Sequence, residues 1–105
     1  MAGVSSNGFT SFLSNHGHVL VCIARDPDIR LRELAAKIGI TERGANKIVT
    51  ELAELGYVER VRRGRRNHYE VRGDRPMRHS LHRHHEVGEL LEVLADGAAP
   101  RRQLQ

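Results

Sequence analysis

The chain has 105 residues, 39% of them hydrophobic and 29% charged, with a net charge of +4 at neutral pH. That length suits one domain around one core and leaves no room for a barrel or a dinucleotide-binding enzyme with its substrate domain. No apolar run approaches the ~18 residues of a membrane span, and a lone Cys22 excludes an internal disulfide framework or a cysteine-built zinc site.

Met1-Ala2-Gly3-Val4-Ser5 carries no basic segment followed by an apolar core, so no secretory leader is expected and the cytoplasm is the expected compartment. Residues 1–8 are small and polar and read as a flexible tail. From Phe9, the apolar residues Phe12, Leu13, Val19, Leu20, Ile23 and Ala24 recur at helical spacing, with Asn15 a candidate cap inside that stretch. Asp26-Pro27-Asp28 ends the helix, because proline cannot continue the ladder and aspartate favours a turn. Ile29-Arg30-Leu31 reads as a short extended lead into a second helix, about Arg32 to Ile38, whose one face is Leu34, Ala35 and Ile38. Gly39 follows it as a left-handed cap.

A third helix is expected after Thr41, whose hydroxyl can accept from an early helical N–H. Ala45, Ile48, Val49, Leu52 and Leu55 give it a buried stripe, and Gly56 ends it. Tyr57–Arg62 and Asn67–Val71 flank the turn Arg63-Gly64-Arg65-Arg66 and read as a β-hairpin. Gly73-Asp74-Arg75-Pro76 breaks the chain, and a last helix is expected over roughly Met77 to Ala95, before a second flexible tail at 97–105. The fold class is therefore mainly α with a small β-hairpin (α+β), in the order helix-helix-helix-hairpin-helix, with domain boundaries at 9–76 and 77–96.

Charge is concentrated in one place. From Tyr57 to Arg78 eight arginines face Glu59, Glu70 and Asp74, a local +5, so the rest of the chain sums to −1. Such a focused patch attracts polyanions, nucleic acid above all.

Helices two and three are joined only by Gly39-Ile40-Thr41, the short glycine-containing connection of a helix-turn-helix. Leu31-Arg-Glu-Leu-Ala-Ala-Lys-Ile-Gly-Ile-Thr41, continued by Ala45-Asn-Lys-Ile-Val-Thr-Glu-Leu-Ala-Glu-Leu-Gly-Tyr-Val58, resembles the winged helix-turn-helix transcription regulators of the MarR and ArsR families. The resemblance covers about residues 12–72. One helix before the domain and one after it is similar to the ArsR layout, and the arginine-rich hairpin stands where these families carry the wing. It implies a regulator that binds double-stranded DNA, with no cofactor and no catalytic role; no nucleophile with a partnered base or phosphate loop argues for an enzyme.

Residue logic points the same way. A third helix that buries Ala45, Val49 and Leu52 must expose Glu42, Arg43, Asn46, Lys47 and Thr50, and in such domains that helix enters the major groove. Arg43 and Lys47 suit guanine or phosphate, Asn46 an adenine edge, and Thr50 a phosphate or thymine methyl. The expected DNA-binding set is Thr41, Arg43, Asn46, Lys47 and Thr50 on the helix, with Arg62, Arg63, Arg65 and Arg66 on a wing suited to backbone or minor groove.

The last helix offers two further readings. Leu81, Val87, Leu91 and Leu94 form an apolar stripe wide enough for a homodimer interface, the alternative being that this helix folds back onto the first. Of seven histidines, His79, His82, His84 and His85 lie there; on a helix His79, His82, His85 and Glu89 fall at i, i+3 and i, i+4 spacings open to a divalent cation. A metal- or ligand-responsive sensor and a winged-helix protein-interaction module are thus the alternative functions. Cys22 reads as a small buried thiol, with redox sensing through His18 as the sharper reading.

Overall fold

The computed structural model describes residues 11–95. Both expected tails and Phe9, at the expected start of the first helix, lie outside the described residues. The order is α1 (Asn15–Arg25), α2 (Leu31–Ile38), α3 (Glu42–Glu54), β1 (Val58–Arg63), β2 (Arg66–Val71) and α4 (Val87–Leu94), a winged helix-turn-helix.

Helix α1 starts later than the apolar spacing predicts. Ser14, in extended conformation, is the cap: its hydroxyl accepts from the Gly17 N–H at 3.3 Å. Asn15 is already helical, and Phe12 lies outside the helix, fully exposed. Periodicity ran through the cap because a serine that accepts from a backbone N–H holds its own residue out of the helix. The buried face is Val19, Leu20, Ile23 and Ala24, and Asp26 closes the helix before Pro27.

The α2–turn–α3 unit forms as its local chemistry dictates. Gly39 adopts φ 88° and donates to the Ala35 carbonyl at 2.8 Å, satisfying a terminal carbonyl of α2. Thr41 Oγ1 accepts from the Gly44 N–H at 2.9 Å and starts α3 one residue later. Ala45, Val49 and Leu52 are buried against α1 and α2, Ile48 is half-buried, and Leu55, expected in the stripe, is 41% exposed. Leu55 falls on the C-cap, where the chain turns out through Gly56 (φ 87°) rather than completing another turn over the core.

The hairpin pairs Val58 with Val71 through Arg63 with Arg66, antiparallel, leaving Gly64 and Arg65 as the turn with Gly64 at φ 61°. Buried Val58 and Tyr69 pin it to the core. The outer edge of β2 is held as well, since the Tyr69 N–H donates to the Pro27 carbonyl at 2.8 Å.

The expected long final helix is mostly absent. Residues 77–86 form a loop of successive turns, closed at its base by an isolated bridge between Pro76 and Glu86 and by Met77 N–H to His85 carbonyl at 3.0 Å. Between Arg78 and Glu86 the only apolar residue is Leu81, 70% exposed, so a helix there has nothing to bury. Helix formation waits for Val87, Leu90, Leu91 and Leu94, started by the Glu86 N–H donating to the Glu89 carboxylate at 3.1 Å. Gly88 packs directly on Gly73, where a Cβ would meet the Gly73 carbonyl oxygen at 2.8 Å. α4 folds back onto α1, and Arg25 Nη2 donates to the Leu94 carbonyl at 2.9 Å.

Candidate nucleic-acid interface

Thirteen residues of α3 divide cleanly into two faces. Ala45 and Val49 are fully buried, and Arg43, Asn46 and Lys47 are exposed on the other side. No hydrogen bond to another described residue occupies those three side chains, so their donors and acceptors are free for a ligand. Thr41 and Thr50 differ from them. The Thr41 hydroxyl is spent on capping, and half-buried Thr50 accepts from Arg60 Nη2 at 3.4 Å.

That Arg60–Thr50 contact ties the hairpin to the middle of α3, joining two elements that each present cations. On the hairpin, Arg62, Arg63, Arg65 and Arg66 are all exposed. They are not equivalent. Arg62 Nε donates to the Gly64 carbonyl at 3.0 Å across the turn, and Arg66 Nη2 donates to the Asp28 carbonyl at 2.7 Å. The side chains of Arg63 and Arg65 donate no hydrogen bond to a described residue.

A fastening that the sequence did not reveal holds the hairpin against the α1–α2 turn. His68 Nδ1 lies 2.7 Å from Asp28 Oδ1, its Nε2 3.6 Å from Glu70, and the ring is only 15% exposed. The hydrogen bond from His68 holds the Asp28 carboxyl below the usual carboxylate range, helped by the charges of His68, Arg63 and Arg66. Glu59 and Glu70 face each other across the strands, and Arg72 Nη2 meets Glu59 at 2.7 Å to offset their repulsion.

The other expected sites are rearranged. Val87 and Leu91, expected at a dimer interface, are buried within the chain at 4% and 1% exposure, because α4 packs on α1. Leu94 is half-buried, and Leu81 sits on the loop with its side chain exposed. The helical spacing expected for His79, His82, His85 and Glu89 does not exist, since the first three lie in turns; His85 and Glu89 do pair, at 2.6 Å, across the start of α4. That hydrogen bond keeps the Glu89 carboxyl below its ordinary value. Among the described residues no group of three or more histidine, cysteine or acidic side chains could hold a metal ion. Cys22 is half-buried, and burial pushes its thiol pKa up despite Lys37 and Arg25, which works against a reactive thiolate. His18 meets Ser11 Oγ at 3.0 Å instead. No described helix is long and apolar enough to cross a membrane.

A family model described as the MarR family matches residues 12–66, just over half of the chain, from the approach to α1 through the hairpin turn. No curated protein and no solved structure matches it.

Proposed function

The chain belongs to the MarR family of DNA-binding transcription regulators, and from that premise we propose that it is a sequence-specific regulator acting by occupying operator DNA. In this reading α3 enters the major groove, where Asn46 reads a base edge while Arg43 and Lys47 meet guanine or phosphate. The hairpin arginines lie on the backbone or in the adjacent minor groove. The chain works in the cytoplasm as a homodimer reading two half-sites about one helical turn apart. Exposed Val93 and half-buried Leu94 on α4, with exposed Leu81 on the preceding loop, are apolar side chains on this side of the molecule that a second copy covers in this reading.

The observation that carries this is the division of α3. Arg43, Asn46 and Lys47 have no side-chain partner among the described residues while Ala45, Val49 and Leu52 are spent on the core, and the hairpin joins this helix through the Arg60–Thr50 contact. A wet helix face would be equally exposed, but it would not adjoin five arginines within seven residues, whose mutual repulsion a polyanion relieves.

Asn46→Ala separates base reading from phosphate attraction. Thermal stability should change by no more than ~0.5 kcal/mol, because the side chain is exposed. Binding to a DNA sequence selected with the wild type should weaken by ~1–3 kcal/mol relative to scrambled DNA at the same salt concentration. Equal loss on both DNAs would remove α3 as the reader.

A further inference from the structure

We propose that the notch between the hairpin turn and the start of α2 seats one phosphate of the DNA backbone, held between Arg30 and Arg65; the proposal rests on the DNA-binding reading above. The notch has a volume of about 150 Å³, and its charged and polar lining is Asp28, Arg30, Arg65, Arg66 and Asn67. Three arginines from two separate elements line one small space. The only carboxylate in its lining is Asp28, whose Oδ1 is already taken by His68 at 2.7 Å. The nearby Glu33 carboxylate is likewise engaged, accepting the Arg30 N–H at 3.2 Å.

The two walls differ in how they are held. Arg30 is the N-cap of α2, so its backbone is fixed by the helix, and its side chain is exposed. Arg65 stands in the hairpin turn. What fixes the distance between them is the fastening on β2: Arg66 to the Asp28 carbonyl at 2.7 Å, His68 to the Asp28 carboxylate, and the Tyr69 N–H to the Pro27 carbonyl at 2.8 Å. Three contacts within four residues of β2 hold the turn over α2, so the notch is preorganised rather than assembled on binding. Arg66 uses one donor on Asp28 and keeps the rest of its fork for the same anion.

Position matters as much as charge. β1 touches α3 through Arg60 and Thr50, and β2 touches the α1–α2 turn through Arg66 and Asp28. The notch therefore extends the band that begins at Arg43 and Lys47, crosses the hairpin and ends at Arg30. A duplex along this band presents its backbone to the notch, and the bound species is a phosphodiester rather than a free small anion.

The test is the salt dependence of binding to a random-sequence duplex by the full chain and its variants. Arg30→Ala should flatten the log–log salt slope by about 0.9, the value for one phosphate on B-DNA. Arg30→Lys should restore the slope, and Arg30→Gln should flatten it while melting like the wild type. The double variant Arg30→Ala with Arg65→Ala should also lose about 0.9, because both residues hold the same phosphate. A wild-type slope in Arg30→Ala, or a loss of about 1.8 in the double variant, overturns the shared seat. Should Arg43→Ala with Lys47→Ala abolish binding while Arg30→Ala leaves it intact, the notch fails and the DNA-binding reading stands. Wild-type protein that does not bind duplex at all overturns both.

Discussion

The hairpin and the loop that follows it both present cationic side chains, and they are built in opposite ways. The hairpin carries five arginines between residues 60 and 66, and the loop carries Arg78 and Arg83 with four histidines. The hairpin is the more charged of the two, and it is also the better anchored. Buried Val58 and Tyr69 stand within the paired strands, six residue pairs set the register, and β2 is tied along its outer edge to Pro27 and Asp28. The loop is closed at its base near Pro76 and Glu86, and its one apolar residue beyond that base, Leu81, points into solvent. Arginines on a fixed backbone meet a phosphate without first giving up chain entropy, whereas those on a loosely anchored loop must order the loop as they bind. In the proposed reading the basic patch that serves as the interface is the one that apolar positions hold still.

The sharpest way to break the comparison is at the junction between the loop and α4. Leu91→Ala removes a side chain that is 1% exposed, and urea denaturation should register ~2–5 kcal/mol of lost stability. Leu81→Ala, ten residues earlier on the exposed loop, should stay within ~0.5 kcal/mol. Comparable losses would mean that the loop is packed as a helix after all and that its cations are as well anchored as those of the hairpin.

Each region also carries one histidine–carboxylate pair, and these give a finer contrast. His68 lowers the Asp28 pKa beside the hairpin, and His85 lowers that of Glu89 beside the loop. A carboxylate whose pKa is lower in the folded state contributes stability that is fully present above its unfolded value and is lost as pH falls through the folded value. Both carboxyls should therefore titrate below the ordinary carboxylate range when followed by carbon-detected NMR. Both are solvent-exposed, so the stability at stake is small. Asp28→Asn should remove the acid-side loss at the hairpin and leave the Glu89 titration where it was. Movement of both would show that the two regions are coupled.

Most of this architecture was legible residue by residue, for reasons that are local. Gly39 and Thr41 bracket the turn because each has a conformational or hydrogen-bonding role within three residues of itself, and the α3 stripe follows from one helical period. Gly64 between β-branched and aromatic runs was enough to locate the hairpin. The loop was misread because Met77, Leu81, Val87 and Leu91 keep a helical spacing across ten residues that have almost nothing to bury. Val87 and Leu91 were recognisable as apolar, but periodicity is the same whether a stripe faces its own chain or a second copy. The pairing of His68 with Asp28 left no trace, since forty positions separate two residues whose neighbours show no matching pattern. Arg30 was missed for a related reason: beside the turn Asp26-Pro27-Asp28 it reads as part of a connection, and only the folded hairpin brings Arg65 opposite it.

The most direct measurement of the central claim is the salt dependence of duplex binding in two paired variants, Arg63→Ala with Arg65→Ala on the hairpin and Arg78→Ala with Arg83→Ala on the loop. Both remove the same formal charge from the same small protein. Anchored arginines that meet phosphates predict a log–log slope flattened by about one to two units in the hairpin variant and a wild-type slope in the loop variant. Equal flattening in the two, or flattening in the loop variant alone, would contradict the account: binding would then follow total charge rather than the interface built by α3 and the hairpin.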